Sequence, residues 1–109
     1  MNTFTKRGEI AGPVGSLSVA VDTTTDVPMR GLAVVCHPHP LQGGTMDNKV
    51  VTTVARALTQ RGWRVVRFNY RGVGGSAGAW DEGRGEVDDA LAVIAAHRVA
   101  GEPLVLGGF

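Results

Sequence analysis

The chain has 109 residues, 43% hydrophobic and 19% charged, which bounds it to one small globular domain at most and excludes disordered, collagenous and coiled-coil classes. Eleven basic and ten acidic residues leave a net charge of +1, without the clustered cationic excess that a nucleic-acid or anionic-membrane partner requires. No apolar run approaches the ~20 residues that span a bilayer, and the start, MNTFTKRGEI, lacks the apolar stretch of a secretory signal.

A single cysteine cannot form an internal disulfide, which fits a reducing cytoplasm. Gly is the compositional oddity, at 16 of 109 residues, about twice the usual ~7%. Tight turns or close backbone approaches are therefore expected.

Ile10 leads into Gly12-Pro13-Val14-Gly15, where Pro sets φ and Gly permits positive φ, so a hairpin turn is expected there. Leu17, Val19 and Val21 then alternate with Ser16, Ser18 and Ala20, the period of a strand with one face on a core. Thr23-Thr24-Thr25-Asp26 reads as a polar loop. Gly31-Leu32-Ala33-Val34-Val35-Cys36 is continuously apolar, as for a parallel strand covered on both faces. After a loop over 37–45, Asp47 is the expected N-cap of a helix carrying Val50, Val51, Val54, Ala57 and Leu58 on one face. Gly62 ends it.

Val65, Val66, Phe68 and Tyr70 predict the next strand, followed by a Gly-rich loop over 72–85. A second helix is expected over roughly 86–99, with Val87, Leu91 and Ile94 as its buried stripe. Glu86, Asp88 and Asp89 in its first turn suit the positive end of the helix dipole. Gly101 and Pro103 punctuate its end, and Leu104-Val105-Leu106 begins a third buried strand. The order is hairpin, β, α, β, α, β, without repeats or linkers. The expected class is α/β: an N-terminal β-hairpin followed by a parallel βαβαβ unit. In a doubly wound sheet the last strand would be central, its outer face and edge needing cover. The sheet is therefore expected to be incomplete, lacking a helix and at least one strand.

Ligands of open parallel sheets bind at the carboxyl ends of the strands. Here those ends are the loop at His37, the loop at Arg71 and the terminus at Phe109. Gly108-Phe109 matches the first two positions of a G-x-S-x-G nucleophile elbow, although Gly pairs are also ordinary turn punctuation. The loop His37-Pro38-His39-Pro40-Leu41-Gln42-Gly43-Gly44-Thr45 has no N–H at Pro38 or Pro40. That leaves His39 or Leu41 as backbone donors for an oxyanion, against the plainer reading of a rigid strand-to-helix turn.

The His37-x-His39 pair with adjacent Cys36 also invites a metal reading, but three or four ligands are needed and no others are placed by spacing. His97, the remaining histidine, reads as helix surface. Cys36 is most simply a small buried hydrophobe. Arg71-Gly72-Val73-Gly74-Gly75-Ser76-Ala77-Gly78 superficially resembles a dinucleotide fingerprint. It belongs to the second βαβ unit, and its helix starts about ten residues too late to meet a pyrophosphate. Gly43-Gly44 and Lys49 fail the Walker A spacing. Ser76 reads as a loop serine. No cofactor is implied.

Together VVCHPHPLQGGTMDNKVV, VVRFNYRGVGGSAG and VLGGF resemble the α/β-hydrolase superfamily. More narrowly, they are similar to small, lidless bacterial serine hydrolases with an HPHP-type loop after the third strand. The resemblance covers most of this chain but only the first half of such an enzyme, so residues 1–109 would be the N-terminal portion of a single hydrolase domain, with no second domain. It implies a Ser-Asp/Glu-His triad whose nucleophile falls immediately after Phe109, with acid and base also absent from this sequence. What carries over is an oxyanion donor: the His39 backbone N–H first, Leu41 second. Arg71, Gly72, Gly74 and Ser76 match the family's second loop in structural roles. Asp47, Asn48 and Lys49 match the start of the first helix, without a catalytic role.

The leading expectation is part of a serine esterase or thioesterase acting on a small acyl substrate (an ester, thioester or amide) through an acyl-enzyme. One alternative is a catalytically inactive truncated domain working through assembly, with another chain, or the remainder of the hydrolase, covering the last strand. The other is a metal-dependent hydrolase using His37 and His39.

Overall fold

The computed structural model describes residues 2–39 and 44–108. Strands β1 (Thr3–Gly12) and β2 (Gly15–Thr24) form the expected hairpin, paired antiparallel through to Gly12↔Gly15. Pro13-Val14 make the turn, and Gly15 takes φ +132° where a Cβ would also press on Ala77. The hairpin is longer than its apolar alternation suggests. β2 carries Thr23 and Thr24, which pair with Phe4 and Thr3, because ladder hydrogen bonds extend a strand past its hydrophobic part.

Next come β3 (Gly31–Val35), α1 (Lys49–Gln60), β4 (Trp63–Phe68), α2 (Arg84–His97) and β5 (Leu104–Gly107). One sheet has the order β1-β2-β4-β3-β5, with β3 parallel to both β4 and β5 and β2 antiparallel to β4. This is the expected hairpin plus parallel βαβαβ. β3 is buried throughout. Two apolar layers cover its faces: Leu17, Val19, Leu32, Val34, Val66, Phe68 and Val93 on one, and Ala33, Val35, Val51, Ala55 and Val65 on the other. No helix among the described residues is long and apolar enough to cross a membrane.

Four expectations about the helices and last strand need correction. The N-cap of α1 is Asn48, whose Oδ1 accepts the Val50 N–H at 3.0 Å. Asp47 is instead drawn away by two guanidiniums, accepting from Arg7 and Arg67 at 2.8 Å each. The buried face of α1 is Val51, Ala55 and Thr59, with Val54 and Leu58 beside it, so Val50 and Ala57 face solvent.

α2 is turned further from expectation. Its buried residues are Gly85, Glu86, Asp89 and Val93, while Val87 and Leu91 are 58% and 57% exposed. The physical reason is polar. Asp89 accepts the Arg71 N–H at 2.9 Å and pairs with its guanidinium, and Glu86 accepts the N–H groups of Asp81 and Gly83. These bonds pull the acidic face of the helix inward, overriding apolar periodicity. Finally, β5 lies at the sheet edge, with Val105 and Leu106 exposed rather than buried.

Candidate active site

The exits of β4, β3 and β5 stand side by side at one edge of the sheet. Cys36 N–H donates to the Gly107 carbonyl at 2.9 Å, the last bond of the β3–β5 ladder, so Gly108 lies beside Cys36. The sequence then turns to His37-Pro38, where Pro supplies no donor for a continued ladder.

His37 is buried, and both ring nitrogens are engaged with backbone. Nδ1 lies 2.7 Å from the Pro38 carbonyl, and Nε2 accepts the Tyr70 N–H at 3.1 Å. An acceptor at Nε2 places the single proton on Nδ1, which donates to Pro38. Burial keeps the imidazole neutral by pushing its pKa down, only partly opposed by the bond to Pro38. The ring meets Tyr70 edge-on at 4.6 Å. His37 therefore has no lone pair left for a metal, and the described residues hold no group of three His, Cys, Asp or Glu suited to an ion. The structure does not bring His37 and His39 together as a ligand pair.

His39 is exposed at the rim, its ring edge-on to Trp80 at 4.8 Å, so the first loop touches the second there. Leu41 lies outside the described residues. Cys36 is buried, and desolvation raises its thiol pKa despite a hydrogen bond with Tyr70. It is a poor nucleophile, as its place in an apolar strand suggests. Tyr70 is likewise held protonated, by burial first and by the Cys36 contact second.

The second loop is a set of braces. Arg71 is buried against Asp89 (2.9 Å) and donates to the Gly85 carbonyl at 2.8 Å. A Cβ on Gly85 would overlap that guanidinium, so glycine opens α2 to admit it. Gly72 has φ +76° and its N–H donates to the Ala77 carbonyl at 3.0 Å, closing the loop. Ser76 donates its hydroxyl to the Asn69 carbonyl at 2.7 Å and accepts the Ser18 N–H at 2.9 Å. These residues are structural, and Ser76 is no nucleophile in this setting. Sequence reading missed Asn69, Glu86, Asp89 and Trp80. The contacts of Asn69, Asp89 and Trp80 are long-range, and no spacing rule connects residue 71 to residue 89, whereas Glu86 bonds locally to the N–H groups of Asp81 and Gly83.

A polar cavity of about 170 Å³ lies elsewhere, between α1 and the hairpin, lined by Thr3, Thr5, Asp22, Thr52, Arg56, Thr59 and Arg67. No residue just beyond the end of β3, β4 or β5 lines it, although Arg67 near the end of β4 does, so the candidate site rests on topology.

No family model matches the chain. Among solved structures, an α/β serine hydrolase homologue from Coxiella burnetii is 46% identical, over 95% of this chain and 51% of that one, with TM-score 0.88. An α/β serine hydrolase without lid from Xanthomonas campestris is 48% identical, over 100% of this chain and 52% of that one, also at 0.88. The chain has the α/β-hydrolase fold. It spans about half the length of these solved relatives. An uncharacterized protein of Rickettsia prowazekii is 46% identical over 83 residues, which are 76% of this chain and 34% of that protein.

Proposed function

We propose that the protein is a serine hydrolase of the esterase or thioesterase kind, cleaving an ester, thioester or amide of a small acyl substrate through an acyl-enzyme. The observation that carries this reading is the convergence of the β3, β4 and β5 exits, in a chain 46% and 48% identical to α/β serine hydrolases over nearly its whole length. Within these 109 residues the contribution is an oxyanion donor. The His39 backbone N–H is the first candidate, supported by its place just beyond the β3 exit, and Leu41 is the second. The nucleophile is proposed to follow Phe109 directly, at the elbow that Gly-Phe opens.

Val105 and Leu106 on the edge strand support a further element of the reading, namely cover by the remainder of the hydrolase domain or by another chain. Residues 1–109 alone are expected to show no serine-hydrolase turnover, since only binding and oxyanion effects remain without nucleophile and base. A cytoplasmic location fits the lone buried thiol.

The test is intact mass after exposure to a fluorophosphonate probe. One covalent adduct on a species heavier than the 11.4 kDa of these residues is expected. A folded protein extending past Phe109 that takes no adduct would sink the proposal.

A further inference from the structure

The exit of β4 grips both described ends of the segment between β3 and α1. At the leading end, Tyr70 N–H donates to His37 Nε2 at 3.1 Å, in place of the ladder bond that β3 no longer offers beyond Cys36. At the trailing end, Asn69 Oδ1 accepts the Met46 N–H at 2.9 Å in a buried contact. Arg67 adds a donor to the Met46 carbonyl at 3.1 Å. Asn69 is itself anchored, its N–H donating to the Ser18 carbonyl at 3.0 Å and its carbonyl accepting the Ser76 hydroxyl. The two ends are also tied to each other, since Gly44 N–H donates to the His39 carbonyl at 3.2 Å. That approach is close enough that a Cβ on Gly44 would overlap the Pro38 carbonyl.

An oxyanion donor is useful only if it is aimed before the reaction begins, so its support must be rigid. Proline at position 38 prevents backbone pairing from giving that support, and buried side chains replace it. We infer that His37 and Asn69 are positioning residues, which fasten the segment bearing the His39 amide to the exit of β4 from both sides. The catalytic consequence rests on the hydrolase reading above, whereas the clamp itself does not.

Amide hydrogen exchange and steady-state kinetics on a folded protein extending past Phe109, with Asn69→Ala and Asn69→Asp variants, test this. Asp keeps an acceptor for Met46 N–H. In Asn69→Ala, the Gly44 amide, which Asn69 does not touch, is expected to exchange about tenfold faster. Val34 and Val51 in the core should keep their rates, and Asn69→Asp should restore Gly44. Turnover of a p-nitrophenyl ester should lose up to about a hundredfold in kcat at constant KM in Asn69→Ala, and recover in Asn69→Asp. A trans-hydrogen-bond coupling between the Tyr70 amide nitrogen and His37 Nε2 is expected in the wild type.

Unchanged Gly44 exchange, or acceleration of Gly44, Val34 and Val51 alike, would overturn the clamp, as would absence of the coupling in folded protein. Wild-type turnover with kcat untouched by Asn69→Ala would overturn the positioning role. The expected exchange pattern in a wild type without turnover or probe labelling would uphold the clamp and defeat only the hydrolase reading.

Discussion

Arg71 and Asp89 show most sharply what single residues contribute. Asp89 is fully buried and its carboxylate is shared between a guanidinium and a backbone N–H. Removing its charge leaves Arg71 buried without compensation, so Asp89→Asn should lower stability by about 3–5 kcal/mol, read from the urea midpoint. His37 gives a pH signature. Burial depresses its pKa below the ordinary 6.5, so the unfolded chain binds a proton more readily than the folded one. This contribution is complete above pH 6.5 and is lost as pH falls from there through the folded value. Urea titrations between pH 7 and 5 should show falling stability in the wild type and a flatter profile in His37→Gln. A thiol probe at pH 8 should leave Cys36 unmodified in the folded protein and label it on unfolding, because desolvation keeps the thiol protonated.

At the scale of elements, the ends of α1 are set by local chemistry that is readable once the right residue is chosen. Asn48→Ala removes the cap on Val50 N–H and should cost about 1 kcal/mol, with Asn48→Asp near wild type by thermal unfolding. Gly62 leaves the helix at φ +95°, where a Cβ would also strike the Pro28 carbonyl. Gly62→Ala should therefore cost at least about 1 kcal/mol in the same measurement. α1 keeps a helical apolar period about Val51, Val54 and Leu58, but Val50 and Ala57 turn to solvent and Ala55 and Thr59 are buried in their place. α2 does not keep its period, because its orientation is decided by Asp89 and Glu86. By sequence both acids have a role only at the helix dipole; Glu86 in fact bonds locally to the N–H groups of Asp81 and Gly83, while no local pattern marks Asp89, whose partner Arg71 lies on the preceding loop.

For the molecule as a whole, the sheet leaves apolar side chains in water: Val87 and Leu91 on α2, and Val105 and Leu106 on β5. An edge strand of this kind invites pairing. Residues 1–109 alone should bind a hydrophobic dye and self-associate with rising concentration in sedimentation, and Leu106→Lys should reduce both. Monomeric, dye-silent behaviour would argue against an uncovered face. The sequence by itself determined the class, the hairpin and the alternation of parallel strands with helices, because alternation, continuous apolar runs and Gly-Pro punctuation are local consequences of backbone geometry. Only the tertiary structure decided that Asn48 rather than Asp47 caps α1, that α2 turns its acids inward, and that His37 and Asn69 hold the segment after β3. Beside the local bonds of Asn48 and Glu86, those outcomes depend on charges and hydrogen-bond donors brought together from 18 to 40 residues apart. Burial makes such pairings decisive, since an unmatched polar group inside costs more than an exposed valine.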